Sequence, residues 1–212
     1  HVAVPPADTP DGAGRGEAKG PGGSAIPAAE WLKSQPKDKP LFLMYHSRTA
    51  HYPFIYSEPT LKDDPTGVTQ ILWNGERGLH DSHMPGMAGG DEIQGAVERK
   101  RDLVMETMMK AGKEGQRVWD AHYANAVTWM DHDIAVLMKA LEERGTAKKT
   151  VVILVADHGE SLGQHGEMLH GDAYFDEVVR IPMIVSVPGM SAAAPIKPLV
   201  SHVDILPTIL EL

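Results

Sequence analysis

The sequence contains no cysteine, no long apolar run and no excess of basic residues. The absence of cysteine excludes disulfides and thiolate metal sites, but it does not decide the cellular compartment, since many exported proteins also lack cysteine. No run approaches the ~20 apolar residues needed to cross a bilayer, so we expect no membrane span. A formal net charge of −9 argues against nucleic acid and anionic membrane surfaces as partners, because phosphate groups require a basic face.

Large apolar side chains are also scarce at the start of the chain. Residues 1–30 are rich in Pro, Gly and Ala, and such a segment cannot bury enough surface to offset its ordering entropy. We therefore predict a loop or linker over 1–30 and one folded portion over 31–212. The chain begins with His1 and stops at Leu212 inside an apolar, helix-like pattern, so we expect both ends to be cut.

Apolar patterning predicts an α/β fold with a mostly parallel sheet flanked by helices. Short apolar runs predict strands over 41–45, 151–155 and 181–187, with a further strand or edge segment over 199–203. Helices are predicted over 28–35, 91–110, 118–144 and 204–212. A helix, a short loop and a strand in that order form half of a right-handed crossover, so helices should cover the sheet.

Four titratable side chains follow the strand predicted over 151–155: Asp157, His158, His165 and His170. Ligands of open α/β sheets are held at the carboxyl ends of the strands. Asp157 and His158 offer an oxygen and a nitrogen donor, a pair that suits zinc or manganese, and calcium less readily. A solvated turn is the alternative, but four such groups after one strand mark sites more often than scaffolds.

Two other polar clusters are predicted to lie on the surface. Asp131, His132 and Asp133 fall within the predicted helix over 118–144, where adjacent side chains point about 100° apart and cannot face one ion. His80 and His83, with two residues between them, lie in a Gly-rich stretch that fixes no ligand geometry. Neither cluster predicts a metal site.

Three segments resemble one family. DHGESLGQHG, LHG and YFDEVVRIP, within 157–182, resemble the second metal-binding segment of the sulfatases and their relatives in the alkaline phosphatase superfamily. PLFLMYHSRTAHYPF at 40–54 resembles the sulfatase strand that ends in a His-x-Pro loop, and LVSHVDILPTILEL at 199–212 resembles the strand and helix that follow the core. The resemblance implies an alkaline-phosphatase-like fold, incomplete here, of which this chain is the C-terminal portion of the catalytic domain.

The resemblance also implies metal-dependent hydrolysis of sulfate esters. Asp157 and His158 match the half of the family's metal site that lies late in the sequence. His51 is implied to bind a sulfate or phosphate oxygen or to protonate the leaving alcohol, and His170 to face the anionic oxygens of the ester. The family implies calcium, with manganese or zinc as alternatives, because His158 stands where many calcium sulfatases have Asn.

The nucleophile of the family is absent from the sequence. Sulfatases make formylglycine from Cys or Ser in a C/S-x-P-x-R motif, and neither Ser34 nor Ser57, each followed by x-Pro, continues into that motif. We therefore interpret the chain as a fragment that lacks the formylglycine-bearing segment and expect it to be inactive alone.

Two other functions stay open. One is a phosphoryl-transfer relative, such as a phosphonate monoester or phosphodiester hydrolase or a phosphoethanolamine transferase. The other is a non-catalytic module that kept the scaffold. The partner implied by the resemblance is a small-molecule or glycan sulfate ester, and the family favours an exported location, whether periplasmic, extracellular or lysosome-like.

Overall fold

The structure is a computed structural model that describes residues 25–47, 49–52, 54, 64–69, 90–170, 174–191 and 195–212. In chain order its helices are α1 (Ile26–Ser34), α2 (Gly90–Arg144), α3 (Asp176–Val179) and α4 (Ile205–Glu211). Its strands are β1 (Val152–Val155), β2 (Ser161–Leu162), β3 (Met168–Leu169) and β4 (Met183–Ser186). His80, His83 and most of the predicted linker over 1–30 lie outside the described residues.

Helix α2 is the longest element. Its backbone leaves helical geometry only at Gly112 (φ 58°, ψ −130°), a positive φ that glycine tolerates because it has no Cβ. The predicted helices over 91–110 and 118–144 are confirmed, and residues 113–117 between them are helical as well. The glycine therefore allows a change of direction without a loop.

The C-terminal end of α2 is a Schellman motif at Gly145 (φ 75°). The Gly145 N–H donates to the Glu142 carbonyl at 2.8 Å, and the Thr146 N–H donates to the Leu141 carbonyl at 3.0 Å. These two bonds satisfy carbonyls that the helix leaves without partners. The left-handed stop predicted from Gly145 is confirmed.

Helix α1 packs against the last turns of α2, close to the predicted helix over 28–35. The Arg144 guanidinium is buried and donates to the carbonyls of Leu32 at 2.8 Å, Gln35 at 2.5 Å and Pro36 at 2.6 Å. A cation at the carbonyl end of a helix is favourable, since those groups carry partial negative charge. Apolar side chains form the rest of the contact between α1 and α2, among them Ala29, Leu32, Leu137, Ala140 and Leu141.

A second core lies around the middle of α2 and positions the loops that carry the candidate site. It joins α2 to Tyr52, Phe54, Val68 and strands β2 and β3. Its buried members are Phe54, Val68, Val104, Met108, Val118, Trp119, Ala126 and Leu169. Two distant parts of the sequence are thereby held against the same helix.

Strands β1 and β4 confirm the strands predicted over 151–155 and 181–187. They pair antiparallel, with Val152 opposite Ser186 and Val155 opposite Met183. The mostly parallel sheet is not confirmed, because both sheets in the described part of the chain are antiparallel pairs. A strand with one partner keeps an open edge, and the residues of β1 are accordingly half-buried rather than buried.

The strand predicted over 41–45 is wrong. These residues form no strand, and their side chains are used differently: Leu43 packs against the contact between α1 and α2, whereas Phe42 and Met44 are exposed. An apolar run predicts burial, but a strand also needs a backbone partner. Residues 199–203 likewise form no strand.

Two short elements complete the described fold around the site. Strands β2 and β3 form an antiparallel hairpin closed by a 3-10 turn at Gln164–Gly166. Helix α4 confirms the helix predicted from Asp204, and the Ser201 N–H donates to Asp204 Oδ2 at 2.8 Å in a capping box.

The prediction that residues 131–133 lie on the surface is wrong for Asp133. Its side chain is buried and accepts a hydrogen bond from Thr49 Oγ1 at 2.9 Å, while Asp131 and His132 are exposed. Asp133 therefore ties α2 to the loop that precedes His51. None of the described helices is both long and apolar enough to span a membrane.

Candidate active site

Asp157 and His158 lie just beyond the end of β1, after Ala156. The His158 N–H donates to Asp157 Oδ1 at 3.0 Å, and Asp157 Oδ2 lies 3.8 Å from His158 Nε2 and 3.7 Å from His46 Nε2. Burial opposes the charge on Asp157, but His158, backbone N–H groups and His46 outweigh it and lower the pKa of this carboxyl. The side chain is therefore an anionic oxygen donor at neutral pH.

Three imidazole rings lie together, and one of them, His158, is next to this carboxylate. We call His51, His158 and His170 the histidine cluster. The ring centroids of His158 and His170 are 4.0 Å apart, with planes tilted by 36°. The ring of His51 meets that of His170 edge-on, at 5.3 Å. The cluster joins the loop after residues 41–47 to the segment between β1 and α3.

Every ring in the cluster has Nδ1 beside an acceptor. The three contacts are His51 to the Tyr52 carbonyl at 2.7 Å, His158 to the Gly159 carbonyl at 2.8 Å and His170 to Glu160 Oε1 at 3.0 Å. Carbonyl and carboxylate oxygens accept hydrogen bonds, so these partners assign the proton to Nδ1. Nε2 is then the ring nitrogen that remains for a ligand.

Glu160 contacts the cluster from the protein interior and was not among the site residues predicted from sequence. It is 8% exposed, and burial raises the pKa of its carboxyl, although the bond from His170 and the charges of His51 and His158 oppose that shift. An acidic residue two positions after His158 in a Gly-rich loop is visible in the sequence. Its burial against histidines is not, because that depends on the hairpin.

The loop that carries the site is fixed to α3 through its backbone. The Gly159 N–H donates to the Val178 carbonyl at 2.7 Å, and the Glu160 N–H donates to the Glu177 carbonyl at 3.1 Å. The two segments approach so closely at Gly159 that a Cβ would collide with the Glu177 carbonyl. Glycine is therefore required there by space rather than by its torsion angles.

The loop that carries His51 is held by aromatic packing against α2. Phe54 is fully buried at a φ of 63° and meets the rings of Trp119 and Tyr123 edge-on, each at 5.3 Å. Edge-to-face contacts of this kind are favourable because the ring edge is positive and the ring face negative. The position of His51 thus depends on a rigid apolar anchor three residues away.

His165 is the one member of the predicted group after β1 that lies elsewhere. Its Nδ1 is 2.8 Å from Glu177 Oε1, and its ring stacks on Phe175 at 4.1 Å. Its side chain is about half exposed. Asp157, His158 and His170 are brought together, whereas His165 forms a separate surface pair.

The profile of the sulfatase family matches residues 25–212, which is most of the chain. The chain belongs to the sulfatase family. Iduronate 2-sulfatase of Homo sapiens is 34% identical over 80 residues, which cover 38% of this chain and 14% of that protein. The uncharacterized sulfatase YidJ of Escherichia coli (strain K12) is 37% identical over 86 residues, which cover 40% of this chain and 16% of that protein.

A longer match is to PehA of Trinickia caryophylli, a multifunctional alkaline phosphatase superfamily protein. It is 28% identical over 195 residues, which cover 87% of this sulfatase-family chain and 36% of PehA. The chain thus spans between 14% and 36% of these three relatives. No solved structure matches it.

The metal implied by the sulfatase family fits Asp157 and His158. Ligand bonds to divalent ions are about 2.0–2.6 Å long, so donors 3.8 Å apart can reach one ion together. The His158 Nδ1–H bond to a carbonyl is the outer contact that orients a metal-binding histidine. No group of three or more such ligands occurs among the described residues, so this pair is at most part of a coordination shell.

A cleft of about 320 Å³ adjoins Asp157 and His158. Ser201 and His202 line it beside the two candidate ligands, and the His202 Nε2 atom lies 2.7 Å from the Ala156 carbonyl. The remaining wall is mainly apolar and is formed by Tyr174, Val178, Val179, Ile181, Met183 and Val200. The polar and charged part of the lining thus consists of two pairs of consecutive residues, 157–158 and 201–202.

Proposed function

We propose that this sulfatase-family chain supplies part of the active site of a metal-dependent sulfate ester hydrolase. The observation that supports the proposal is the convergence of Asp157 and His158 with His51 and His170 at the end of β1. A pair of metal ligands beside two imidazoles that can donate from a protonated Nε2 suits a tetrahedral oxyanion. The family match supports a sulfate as the ester.

Each residue has a distinct role in this proposal. Asp157 and His158 are metal ligands; calcium is favoured by the family, with manganese and zinc as alternatives, and the ion supplies Lewis acidity when bound. His170 in its protonated form donates from Nε2 to the oxygens on which charge develops. His51 binds a sulfate oxygen or protonates the leaving alcohol.

The nucleophile lies outside the 212 residues in this proposal, since no C/S-x-P-x-R motif occurs among them. A formylglycine would then come from another part of the whole protein, and the chain alone would be inactive. Exposed apolar side chains support such a partner segment, because large apolar surface normally packs against protein. Within residues 195–212 the most exposed are Leu199, Leu210, Val203, Ile196 and Leu206, at 64–98%.

A phosphoryl-transfer activity is the second candidate. The match to PehA covers 87% of this chain, whereas the match to human iduronate 2-sulfatase covers 38%. The name of PehA places it in the alkaline phosphatase superfamily without restricting it to sulfate esters. The same Asp157, His158, His51 and His170 geometry would suit a phosphate oxyanion equally well.

The discriminating experiment uses the whole protein with a divalent metal and two chromogenic substrates, p-nitrophenyl sulfate and bis-p-nitrophenyl phosphate. We expect the sulfate ester to have the higher kcat/KM. A higher value for the phosphate diester would replace the proposal with the second candidate. Turnover of neither substrate by a metal-loaded protein would instead indicate a non-catalytic module.

We also propose that the physiological substrate is a small-molecule or glycan sulfate ester and that the protein is exported. A relative that is 34% identical over 83 residues, or 38% of this chain, is named an extracellular sulfatase homolog, from Drosophila melanogaster. Fractionation of the native host, with immunodetection of the protein outside the cytoplasm, checks the location.

A further inference from the structure

We propose that Glu160 is a positioning residue. Its carboxylate holds a proton on His170 Nδ1, which fixes the Nδ1–H tautomer of the neutral ring and leaves Nε2 as the nitrogen that gains a proton and donates it in a hydrogen bond to the ester. The inference rests on the proposed function of His170 and extends it to a residue with no role in ligand contact. Its support is the pairing of the hairpin, the burial of the carboxylate and the hydrogen bond that joins it to His170.

The β2–β3 hairpin dictates the contact between Glu160 and His170. Ser161 pairs with Leu169 in the antiparallel ladder, so the residues just outside that pair, 160 and 170, stand opposite each other. Glu160 Oε1 lies 3.0 Å from His170 Nδ1, a normal length for a charge-assisted hydrogen bond. The strand register thus selects this carboxylate as the partner of His170.

The two ends of this contact differ in their access to solvent. The Glu160 side chain is 5% exposed, whereas the His170 side chain is 27% exposed. The backbone of Glu160 is fixed as well, because its N–H donates to the Glu177 carbonyl at 3.1 Å. The fixed Glu160 carboxylate therefore holds the Nδ1 edge of the His170 ring, while part of that ring stays accessible to a ligand.

A packing role alone does not account for a carboxylate at this position. Burying a charge without partners is costly, and an apolar side chain of similar size would fill the same space. Glu160 instead places its buried Oε1 atom 3.0 Å from His170 Nδ1. Acceptors in this outer position fix the tautomer of a functional histidine, and their loss typically reduces activity about 10–100-fold.

The structure also contains a matched pair away from the cluster. Glu177 Oε1 lies 2.8 Å from His165 Nδ1, the same glutamate-to-histidine contact in the same region. Its histidine contacts Phe175 and is about half exposed. The substitution Glu177→Gln therefore controls for the loss of a glutamate-histidine bond as such.

The first test measures the tautomer of His170 in the whole protein by ¹⁵N imidazole NMR at pH 8, with His170→Ala to assign the signal. We expect Nδ1–H in the wild type and a gain of the Nε2–H form in both Glu160→Gln, whose amide can donate, and Glu160→Ala, which has no acceptor. An Nε2–H tautomer in the wild type, or Nδ1–H retained in both variants, would overturn the inference. The wild-type measurement decides even if a variant does not fold.

The second test is a double-mutant cycle on kcat for p-nitrophenyl sulfate. Glu160→Gln should lower kcat about 10–100-fold in the wild type and cause no further loss in a His170→Ala background, while Glu177→Gln leaves kcat unchanged. Independent, multiplicative losses would show that Glu160 does not act through His170. The expected tautomers without any sulfate ester turnover would sustain the inference and reject the proposed function.

Discussion

Asp157 and His51 illustrate two different ways in which single residues serve the candidate site. Asp157 is a carboxylate whose pKa is lowered by His158 and His46, although burial acts in the opposite direction. His51 has its Nδ1 bound to a backbone carbonyl and offers only Nε2. The first residue suits a cation and the second an ester oxygen, so their loss should produce different defects.

Removal of Asp157 should abolish metal binding. In Asp157→Ala the candidate site keeps His158 but loses its anionic donor, so affinity should fall by more than the roughly 10–100-fold lost when an outer partner is removed. Metal content per protein, measured by mass spectrometry after dialysis against metal-free buffer, should drop from about one to near zero. Asp131→Ala, at an exposed acidic position on α2, is the control and should retain the metal; undiminished metal in Asp157→Ala would remove the central assignment.

Removal of His51 or His170 should leave metal bound and slow turnover. Both imidazoles are expected to contact the ester rather than the ion, and general acid or electrostatic contributions of this type are worth about 10²–10⁴-fold. Steady-state kinetics with p-nitrophenyl sulfate should show that loss in kcat for each alanine variant. His132→Ala, on the exposed side of α2, provides the baseline, and normal turnover in both site variants would show that the substrate contacts were misplaced.

The proximity of Asp157, His158 and His170 could be predicted from the end of one strand, and that of His51 from the resemblance of its segment to the family. Their roles stay predictions. Glu160 could not be predicted, since its function depends on the pairing of two two-residue strands. Asp133 was predicted to lie on the surface, although Thr49 holds it in the interior. Contacts between residues far apart in the sequence decide these cases, and periodicity does not encode them.

The segment from Gly159 to Leu169 is held against α3 at its start by backbone hydrogen bonds from Gly159 and Glu160. Gly159→Ala introduces a Cβ against the Glu177 carbonyl, which should push α3 away and destabilise the fold by about 1–3 kcal/mol, as overpacking typically does. Urea unfolding measures the stability, and metal content should fall with it.

A substitution at Gly166, in the same segment, distinguishes the cost of backbone strain from the cost of a steric collision. Gly166 has a φ of 78°, but a Cβ added there would meet nothing within 4 Å, so Gly166→Ala should cost only the left-handed penalty of about 1–2 kcal/mol. It should keep its metal. Equal metal loss in both variants would mean that the close approach at Gly159 does not position the site.

The stability of the contact between α1 and α2 depends on the hydrogen bonds of the Arg144 guanidinium. Arg144→Met keeps an unbranched side chain but leaves the carbonyls of Leu32, Gln35 and Pro36 without these donors. We expect a loss of about 2–4 kcal/mol, since bonds to charged groups contribute about 1.5–3 kcal/mol each but not additively. Chemical denaturation should show that Lys139→Met, on the exposed part of the same helix, loses far less.

Helix α2 connects two packed regions into one molecule, with the α1 contact near its C-terminal end and the second core around Gly112. The helices could be predicted because their periodicity and stop signals are local. The sheet could not, because strand direction depends on which segments become neighbours. The α/β class follows from the family match, while the strands among the described residues pair antiparallel.

We expect His122 to make the stability of the second core dependent on pH. Its side chain is buried, its Nε2 lies 2.9 Å from Thr69 Oγ1, and its Nδ1 has no partner among the described residues. Burial lowers the pKa of this imidazole, and the charge of Asp64 only partly opposes the shift. The unfolded chain therefore takes up this proton before the folded chain does.

The sign of the effect follows by linkage: stability that is present above the unfolded histidine pKa of about 6.5 is lost as pH falls toward the folded value. Urea unfolding at pH 7.5 and 5.5 should show a larger loss in the wild type than in His122→Gln, which cannot titrate. His132→Gln removes an exposed histidine from the same helix and should behave like the wild type. Groups common to all three proteins cancel in the comparison, so equal losses in wild type and His122→Gln would show that the buried imidazole does not set this dependence.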